Sequence, residues 1–207
     1  MSSLNGFIER VASDSPTPGG GSVSALASSL GCALAEMVSG ISIGKEKNEN
    51  VKEAMRSALD RSTKLRRRLI HLIEKDAQAY QAVLDSLSLP KGTSEEKERR
   101  KKAVQEALIE AAKPPIDIVR ISLEVLRIAS DLAEIGSKSA CTDVGVAALM
   151  AHAGLYGGYL NVRVNLASVK DEDFKKKMED EARSALDKGH ALLQSTLAIV
   201  DSKLSFQ

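Results

Sequence analysis

The feature that most constrains the fold is an unbroken helical stretch. Residues 48–87 contain neither proline nor glycine. Along them, small or apolar side chains recur at steps of three and four, the spacing of a helix packed against other helices: Leu65, Leu69, Leu72, Ala79, Val83 and Leu87. At 1.5 Å per residue, this stretch predicts a rod of roughly 60 Å. Such a rod needs neighbouring helices along its length.

One acidic residue, Asp76, falls on this apolar seam. A carboxylate at a core-facing position loses hydration, so it must be protonated, paired or poised for chemistry. Periodicity leaves two interpretations open. In the first, Asp76 is structural and bonds to a neighbouring helix end or to an ion-pair partner. In the second, Asp76 is a catalytic acid or base.

Composition sets the fold class. Only 3% of the 207 residues are aromatic and none is tryptophan, which disfavours a sheet-rich fold. The length fits one domain, and we expect it to span residues 1–207. The sequence therefore predicts an all-α, up-and-down bundle of about six or seven helices with one long helix. Two small-residue helix faces and the long rod also favour a homodimer.

Charge and cysteine content limit the partners. The formal net charge is +1, so we expect neither nucleic acid nor an anionic membrane as a partner. No apolar run approaches the length that a bilayer needs, and the N-terminus does not resemble a signal peptide, so we expect a soluble protein. Cys32 and Cys141 lie far apart with no CxxC pairing, which is typical of a reducing cytoplasm.

Caps and breakers divide the chain into segments. Thr93 and Glu96 have the spacing of a capping box, and Pro114-Pro115 are expected to break the helix that follows. The predicted helices span about 3–12, 22–42, 48–87, 93–113, 116–135 and 143–166, and Asp171 caps a last one. The small-residue faces of the second helix and of residues 143–166 are expected to meet.

Three polar groups are candidates for a ligand site. The loop Pro16–Ser22 carries three glycines directly before a helix, so its backbone can approach an anion or a carbonyl, or it is only a tight turn. Asp143 begins a helix, where capping is the simpler role. Asn161 and Asn165 share a helical face and need partners, either backbone groups or a ligand. The three histidines have no metal-ligand spacing, so we expect no metal.

These stretches, taken in order along nearly the whole chain, resemble the cyclodeaminase/cyclohydrolase family of tetrahydrofolate one-carbon metabolism. The similarity is carried by five segments, PTPGGGS, DAQAY, LPKGTSEEKERR, TDVGVAAL and NVRVNL, which begin at Pro16, Asp76, Leu89, Thr142 and Asn161. One departure occurs before Thr142. The family commonly carries Gly-Asn and a further Asn there, whereas this chain has Gly136-Ser137-Lys138-Ser139.

The resemblance implies a helical, dimer-forming folate enzyme with Asp76 as the catalytic carboxylate and with no covalently bound cofactor. A tetrahydrofolate derivative is the substrate. By this hypothesis Asp143, with Asn161 and Asn165, binds the polar edge of the pterin or orients Asp76. The expected substrate-binding residues are Pro18, Gly19, Gly20, Gly21, Tyr80, Lys91, Asn161, Arg163 and Asn165, with Lys91 or Arg163 meeting the glutamate tail.

The resemblance does not decide between two reactions. The first expectation is formimidoyltetrahydrofolate cyclodeaminase, which closes the ring to 5,10-methenyltetrahydrofolate and releases ammonia in histidine degradation. The alternative reaction is that of a methenyltetrahydrofolate cyclohydrolase. Two alternatives without catalysis are a folate-binding module and a plain structural bundle. A separate formiminotransferase is a possible partner.

Overall fold

The computed structural model describes residues 3–204, which form six α-helices and one short 3₁₀ turn with no strand among them. The helices are α1 (Leu4–Ala12), α2 (Gly20–Ile43), α3 (Glu49–Leu87), α4 (Ser94–Ile135), α5 (Cys141–Leu166) and α6 (Glu172–Leu204), and the 3₁₀ turn is Lys138–Ala140. The predicted all-α bundle with one long helix is confirmed. Two helices, α3 and α4, have 39 and 42 residues.

The helix starts follow the predicted caps. Ser3 accepts a hydrogen bond from the Gly6 amide at the start of α1. The Thr93 hydroxyl accepts from the Glu96 amide, and the Glu96 carboxylate accepts from the Thr93 amide, which completes the capping box of α4. Asp171 accepts from the Phe174 amide before α6. These local signals fixed the boundaries because each satisfies amides that a helix start leaves free.

The predicted break at Pro114-Pro115 is wrong, because α4 runs through both prolines. A proline at position 115 has no N–H to donate to the carbonyl four residues earlier, that of Ala111. The side chain of Asn165 on α5 donates to this carbonyl instead, at 2.8 Å. A contact from another helix therefore replaces the lost backbone bond and lets the helix continue.

The small-residue faces of α2 and α5 meet, as predicted, and bring the two helices unusually close. A Cβ added at Gly154 would overlap the Ser28 hydroxyl and lie 2.6 Å from the Ser24 carbonyl oxygen, and one at Gly31 would lie 2.8 Å from the Ala147 carbonyl oxygen. Only glycine allows this spacing. The interface between α2 and α5 thus fixes the position of the N-terminal end of α2.

Helix α2 is the one described helix whose length and hydropathy would allow it to cross a membrane. This corrects the expectation that no stretch is long and apolar enough. Alanines and scattered valine, leucine and isoleucine residues keep the hydropathy of α2 high without a long bulky apolar run, because Glu36 is its one charged residue. In the bundle α2 packs against α3, α4 and α5, and nearly half of its most apolar window is buried.

Candidate active site

The start of α2 rests against Asp76 of α3. The Ser22 hydroxyl lies 3.2 Å from Oδ2 of Asp76 and 2.9 Å from the Ile73 carbonyl oxygen, so its hydrogen is shared between two acceptors. A Cβ added at Gly21 would lie 2.5 Å from Cγ of Asp76 and overlap its carboxylate. Glycine at position 21 is therefore what allows the carboxylate to sit against the backbone of α2.

Two opposing effects set the proton affinity of Asp76. Burial raises the pKa of the Asp76 carboxyl above its ordinary value, and this is the larger effect. Hydrogen bonds from the Ser22 hydroxyl and the Ser22 amide favour the charged form and lower the pKa in part. The net direction is upward, which brings the carboxyl closer to the pH at which it can both accept and return a proton.

Asp76 faces a cavity of about 320 Å³, within the range of small-molecule sites. The predicted residues that line the cavity are Gly19, Gly20, Gly21, Asp76, Tyr80, Asn161 and Asn165. Pro16 and Thr17 from the same loop line it too, whereas Pro18 does not. Among the described residues that line the cavity, Asp76 is the only one with a formal charge at neutral pH.

The two asparagines present acceptor oxygens. The Asn161 amide nitrogen donates to the Gly157 carbonyl at 2.8 Å, and the Asn165 amide nitrogen donates to the Ala111 carbonyl at 2.8 Å. Neither Oδ1 has a hydrogen-bond partner among residues 3–204. Both residues can therefore accept hydrogen bonds from a ligand that carries N–H groups, as the edge of a pterin does.

Three other predicted site residues lie elsewhere. Asp143 is in the first turn of α5, eighteen residues from Asn161, so about 27 Å of helix separates them. Lys91 is exposed in the connection between α3 and α4, and Arg163 lies 3.9 Å from Glu179 with its guanidinium over the Tyr159 ring. Within one chain the length of α5 therefore keeps Asp143 away from the cavity, and its predicted role with Asn161 and Asn165 stays a prediction.

The polar connection before α5 is also remote from the cavity. The Ser137 and Ser139 hydroxyls are 3.0 Å apart, and Lys45 donates to Ser139 at 2.8 Å. Neither serine lines the cavity. Their replacement of the family's asparagines therefore leaves the cavity walls within this chain unchanged.

Sequence reasoning missed several residues of the site, namely the hydrogen-bond partner of Asp76 and part of the cavity wall. Ser22 was assigned only to a helix start, although its place directly after Gly21 could have marked it as a partner of Asp76. Leu108 and Ala111 on α4 gave no signal, because their approach to Asp76 depends on how α4 aligns with α3. The remaining apolar walls are Val83 and Val164, and Ser168 completes the rim.

The three histidines form no metal centre in the described part of the chain, where no group of three or more histidine, cysteine, aspartate or glutamate side chains is arranged to hold a metal ion. His152 on α5 and His190 on α6 share a hydrogen bond of 3.1 Å between ring nitrogens. Burial, and then the neighbouring His190, lower the pKa of His152. This pair ties α5 to α6 away from the cavity.

A partly buried carboxylate with a raised pKa, facing a ligand-sized cavity in an all-α bundle, defines a class of protein: a helical enzyme that performs acid–base chemistry on a small molecule.

Comparisons with known proteins narrow this class. The family model described as Formiminotransferase-cyclodeaminase matches residues 3–184. A methenyltetrahydrofolate cyclohydrolase from Methylorubrum extorquens is 38% identical over 199 residues, which is 96% of either chain. The formimidoyltransferase-cyclodeaminase of Mus musculus is 35% identical over 184 residues. This match spans 89% of the present chain but only 34% of the mouse protein.

The fold agrees with these sequence matches. The crystal structure of formiminotetrahydrofolate cyclodeaminase from Thermotoga maritima superposes with a TM-score of 0.87 over 98% of both chains, at 30% identity. The chain belongs to the formiminotransferase-cyclodeaminase family, and the predicted resemblance is confirmed.

Proposed function

We propose that the cavity holds the one-carbon end of a tetrahydrofolate and that Asp76 is the acid and base of the reaction. The observation that carries this proposal is a lone carboxylate in an otherwise uncharged cavity. The reacting carbon of the substrate is part of a cation, either a protonated formimidoyl group or a methenyl group. A single anion with no cationic side chain in the cavity walls to compete for it stabilises such a cation strongly. Family membership supports the same substrate class.

The first candidate reaction is ring closure of 5-formimidoyltetrahydrofolate. N10 forms a bond to the formimidoyl carbon, and the Asp76 carboxylate takes the N10 proton. Protonated Asp76 then gives this proton to the amino group on the same carbon, whose bond to the carbon breaks as ammonia leaves. The product is the 5,10-methenyl cation, and Asp76 is ionised again. A raised pKa suits a carboxyl that holds the proton between these steps.

The second candidate is hydrolysis of the methenyl cation to 10-formyltetrahydrofolate. Asp76 takes a proton from the water whose oxygen bonds to the methenyl carbon, and gives this proton to N5 as the bond between N5 and that carbon breaks. The remaining hydroxyl proton is released to solvent as the formyl carbonyl forms, and Asp76 is ionised again. The end-to-end similarity to the Methylorubrum extorquens cyclohydrolase favours this hydrolysis. Both reactions use the same cation and the same carboxylate. Purified protein offered 5-formimidoyltetrahydrofolate and 5,10-methenyltetrahydrofolate in parallel distinguishes them, since the absorbance of the methenyl compound rises in one reaction and falls in the other.

The Asp76→Asn variant tests the role of the carboxylate. We expect kcat to fall about 10²- to 10⁴-fold for whichever substrate is turned over, the usual contribution of a positioned acid or base. Asp85→Asn removes an exposed carboxylate of the same helix and should leave kcat unchanged. Near-native turnover by Asp76→Asn would overturn the proposal. Folate binding without turnover in the wild type would identify a binding module instead.

The wider setting is part of the same proposal. We infer a single functional domain that works in a reducing cytoplasm, where the two buried thiols, Cys32 and Cys141, stay free. Burial raises the pKa of the Cys32 thiol to about 12, which keeps it unreactive. A separate formiminotransferase would supply the formimidoyl substrate in histidine degradation. The relatives that carry both activities in one chain support this partner.

A homodimer is the expected assembly. Among the described residues, nine of the fifteen large apolar side chains that remain exposed lie on α2 and α5. Apolar surface concentrated on two neighbouring helices is typical of an interface. Sedimentation velocity at micromolar protein concentration tests this state, and a monomer would contradict it.

A further inference from the structure

The cavity that Asp76 faces is elongated along the helices. On α3 its lining residues run from Asp76 to Val83, and these seven residues of helix span about 10 Å. On α5 they run from Asn161 to Ser168. Helices α3 and α5 both lie antiparallel to α4, to which short connections join them, so the two sets advance in the same direction. The cavity therefore has an inner end at Asp76 and Asn161 and an outer end at Val83 and Ser168.

The inner end is polar and lies against the backbone of α2. A Cβ added at Gly20 would lie 3.2 Å from Nδ2 of Asn161, and one at Gly21 would overlap the Asp76 carboxylate. No space remains behind these two side chains for a larger group. A substrate whose reacting carbon lies against Asp76 therefore extends from there toward the outer end.

The outer end is apolar apart from one hydroxyl group. Val83, Leu108 and Val164 wall it from three different helices, and Ser168 lies at the rim. The Ser168 hydroxyl has no hydrogen-bond partner among residues 3–204, so it can donate to a ligand. Walls of this kind suit a flat aromatic ring that carries a carbonyl group at its far edge. The aminobenzoyl group of a folate has this form, and it is bonded directly to N10, one of the reacting atoms in the proposed function.

Gln105 of α4 holds the rim of the outer end in place. Its side-chain nitrogen donates to the Ser168 carbonyl at 3.2 Å, and its side-chain oxygen accepts from the Lys170 backbone N–H at 2.8 Å. Neither backbone group has another hydrogen-bond partner in the described part of the chain. Between them, Val169 is only 2% exposed and anchors the connection between α5 and α6 in the core. One glutamine thus satisfies a donor and an acceptor on either side of this anchor.

A second contact fixes the other side of the rim. The Asn165 side chain donates to the Ala111 carbonyl of α4 at 2.8 Å. Gln105 and Ala111 are six residues apart, about 9 Å along α4, and Leu108 lies midway between them. The segment that carries Ser168 is therefore tied to α4 on both sides of an apolar wall of the cavity. Its hydroxyl is held in place before a ligand arrives, which lowers the entropy lost on binding.

We propose that the outer end is the subsite for the aminobenzoyl group of the folate and that Gln105 is a positioning residue for this subsite. The Ser168 hydroxyl donates to the carbonyl of the bound group. Gln105 does not line the cavity, so it acts through Ser168. The inference rests on the proposed function, because it takes the substrate to be a folate, but it concerns a part of the substrate remote from Asp76. Loss of Gln105 should therefore weaken binding without slowing the chemical step.

Steady-state kinetics with the folate that is turned over test this role. Gln105→Leu and Ser168→Ala should each raise KM about 3- to 10-fold, the usual effect of one lost hydrogen bond, and change kcat less than about 2-fold. The double variant should have the KM of the weaker single variant, because both substitutions remove the same contact. Gln194→Leu, which replaces an exposed glutamine of α6, is the matched control and should leave KM unchanged.

A fragment of the substrate probes the subsite without any reacting carbon. We expect p-aminobenzoylglutamate to bind the wild type and Asp76→Asn with equal Kd, since the fragment does not reach the inner end. Its Kd should be at least about 3-fold higher for Gln105→Leu and for Ser168→Ala. Titrations followed by NMR measure all four values.

The outcomes separate this inference from the proposed function. Normal turnover by Asp76→Asn overturns the proposed function, and the fragment still reports on the subsite. A lower kcat at unchanged KM in Gln105→Leu, additive effects in the double variant, or fragment binding that Gln105→Leu leaves unchanged overturns the subsite without affecting the role of Asp76. A Gln105→Leu protein that is less stable but keeps the wild-type KM would show that these hydrogen bonds only support the fold.

Discussion

The single residue on which the candidate site most depends is Gly21, since its missing side chain leaves room for the Asp76 carboxylate. We expect Gly21→Ala to displace this carboxylate and lower kcat/KM by about 10²-fold or more, the cost of misplacing a catalytic group by about 1 Å. Steady-state kinetics with the active substrate measure it. Gly40→Ala is the matched control in the same helix, because an added Cβ meets nothing within 4 Å there. The control should keep full activity and gain up to about 1 kcal/mol in stability.

Ser22 lowers the pH at which Asp76 ionises. Its hydrogen bonds lower the pKa of the Asp76 carboxyl, so the Ser22→Ala variant, which loses the hydroxyl, should have a higher Asp76 pKa. Because the reaction begins with ionised Asp76, the acid limb of the kcat/KM profile should move to higher pH. Ser24→Ala, whose hydroxyl donates to the Gly20 carbonyl instead, should leave the limb in place. An unshifted limb in Ser22→Ala would show that another group titrates.

The same pKa has a consequence for stability. A carboxyl whose pKa is raised on folding contributes stability that is complete below its unfolded pKa and is lost as the pH rises through its folded pKa. Asp76→Asn removes this ionisation. We expect the difference in free energy of unfolding between Asp76→Asn and the wild type, from urea titrations, to move in favour of the variant as the pH rises through the pKa of the folded Asp76 carboxyl, and the variant to be no less stable than the wild type at pH 7. A clear loss of stability at pH 7 would mean that the ionised carboxylate supports the fold.

At the scale of helices, the sequence correctly predicted the helix starts that depend on residues within one turn. Ser3, Thr93 and Asp171 marked helix starts correctly because a cap acts within its own turn. Pro114-Pro115 misled the prediction because the missing backbone donor is replaced by Asn165, fifty residues later in the chain. Asn165 was predicted as a ligand group; its amide nitrogen supports α4, and the residue also lines the cavity. No local pattern shows such a division of roles.

The contact between Asn165 and α4 predicts a measurable coupling. Asn165→Ala leaves the Ala111 carbonyl without its partner and should cost about 1–3 kcal/mol in the free energy of unfolding. In a Pro115→Ala background, the new backbone N–H can bond to Ala111, so the same substitution should cost about 1 kcal/mol less. Chemical denaturation of the four proteins gives this difference. Asn161→Ala is the control, since the Gly157 carbonyl keeps its helical backbone hydrogen bond. If Asn165→Ala lowers the free energy of unfolding equally in both backgrounds, Asn165 does not replace the missing donor of Pro115.

For the whole molecule, the sequence predicted which carboxylate faces the cavity but not how far Asp143 lies from it. Asp76, Asn161 and the glycine loop were predicted together and line one cavity. Asp143 was predicted with them, yet in one chain α5 holds it about 27 Å away. The uncharged outer side of α5 is recognised only once burial is known, because the sequence does not show which side of a helix stays exposed.

The exposed apolar surface of α2 and α5 makes stability depend on protein concentration. If two copies cover this surface, dimerisation stabilises the folded state by mass action, so the thermal midpoint should rise with protein concentration. Ala153→Arg places a charge between Leu149 and Tyr156 on the exposed apolar side of α5, where burial without a partner is costly. Its midpoint should be lower than that of the wild type at high concentration and should not vary between about 1 and 100 μM. Ala198→Arg should retain the wild-type dependence. Differential scanning calorimetry over this range measures all three, and a wild-type midpoint that ignores concentration would indicate that the α2 and α5 surface stays uncovered.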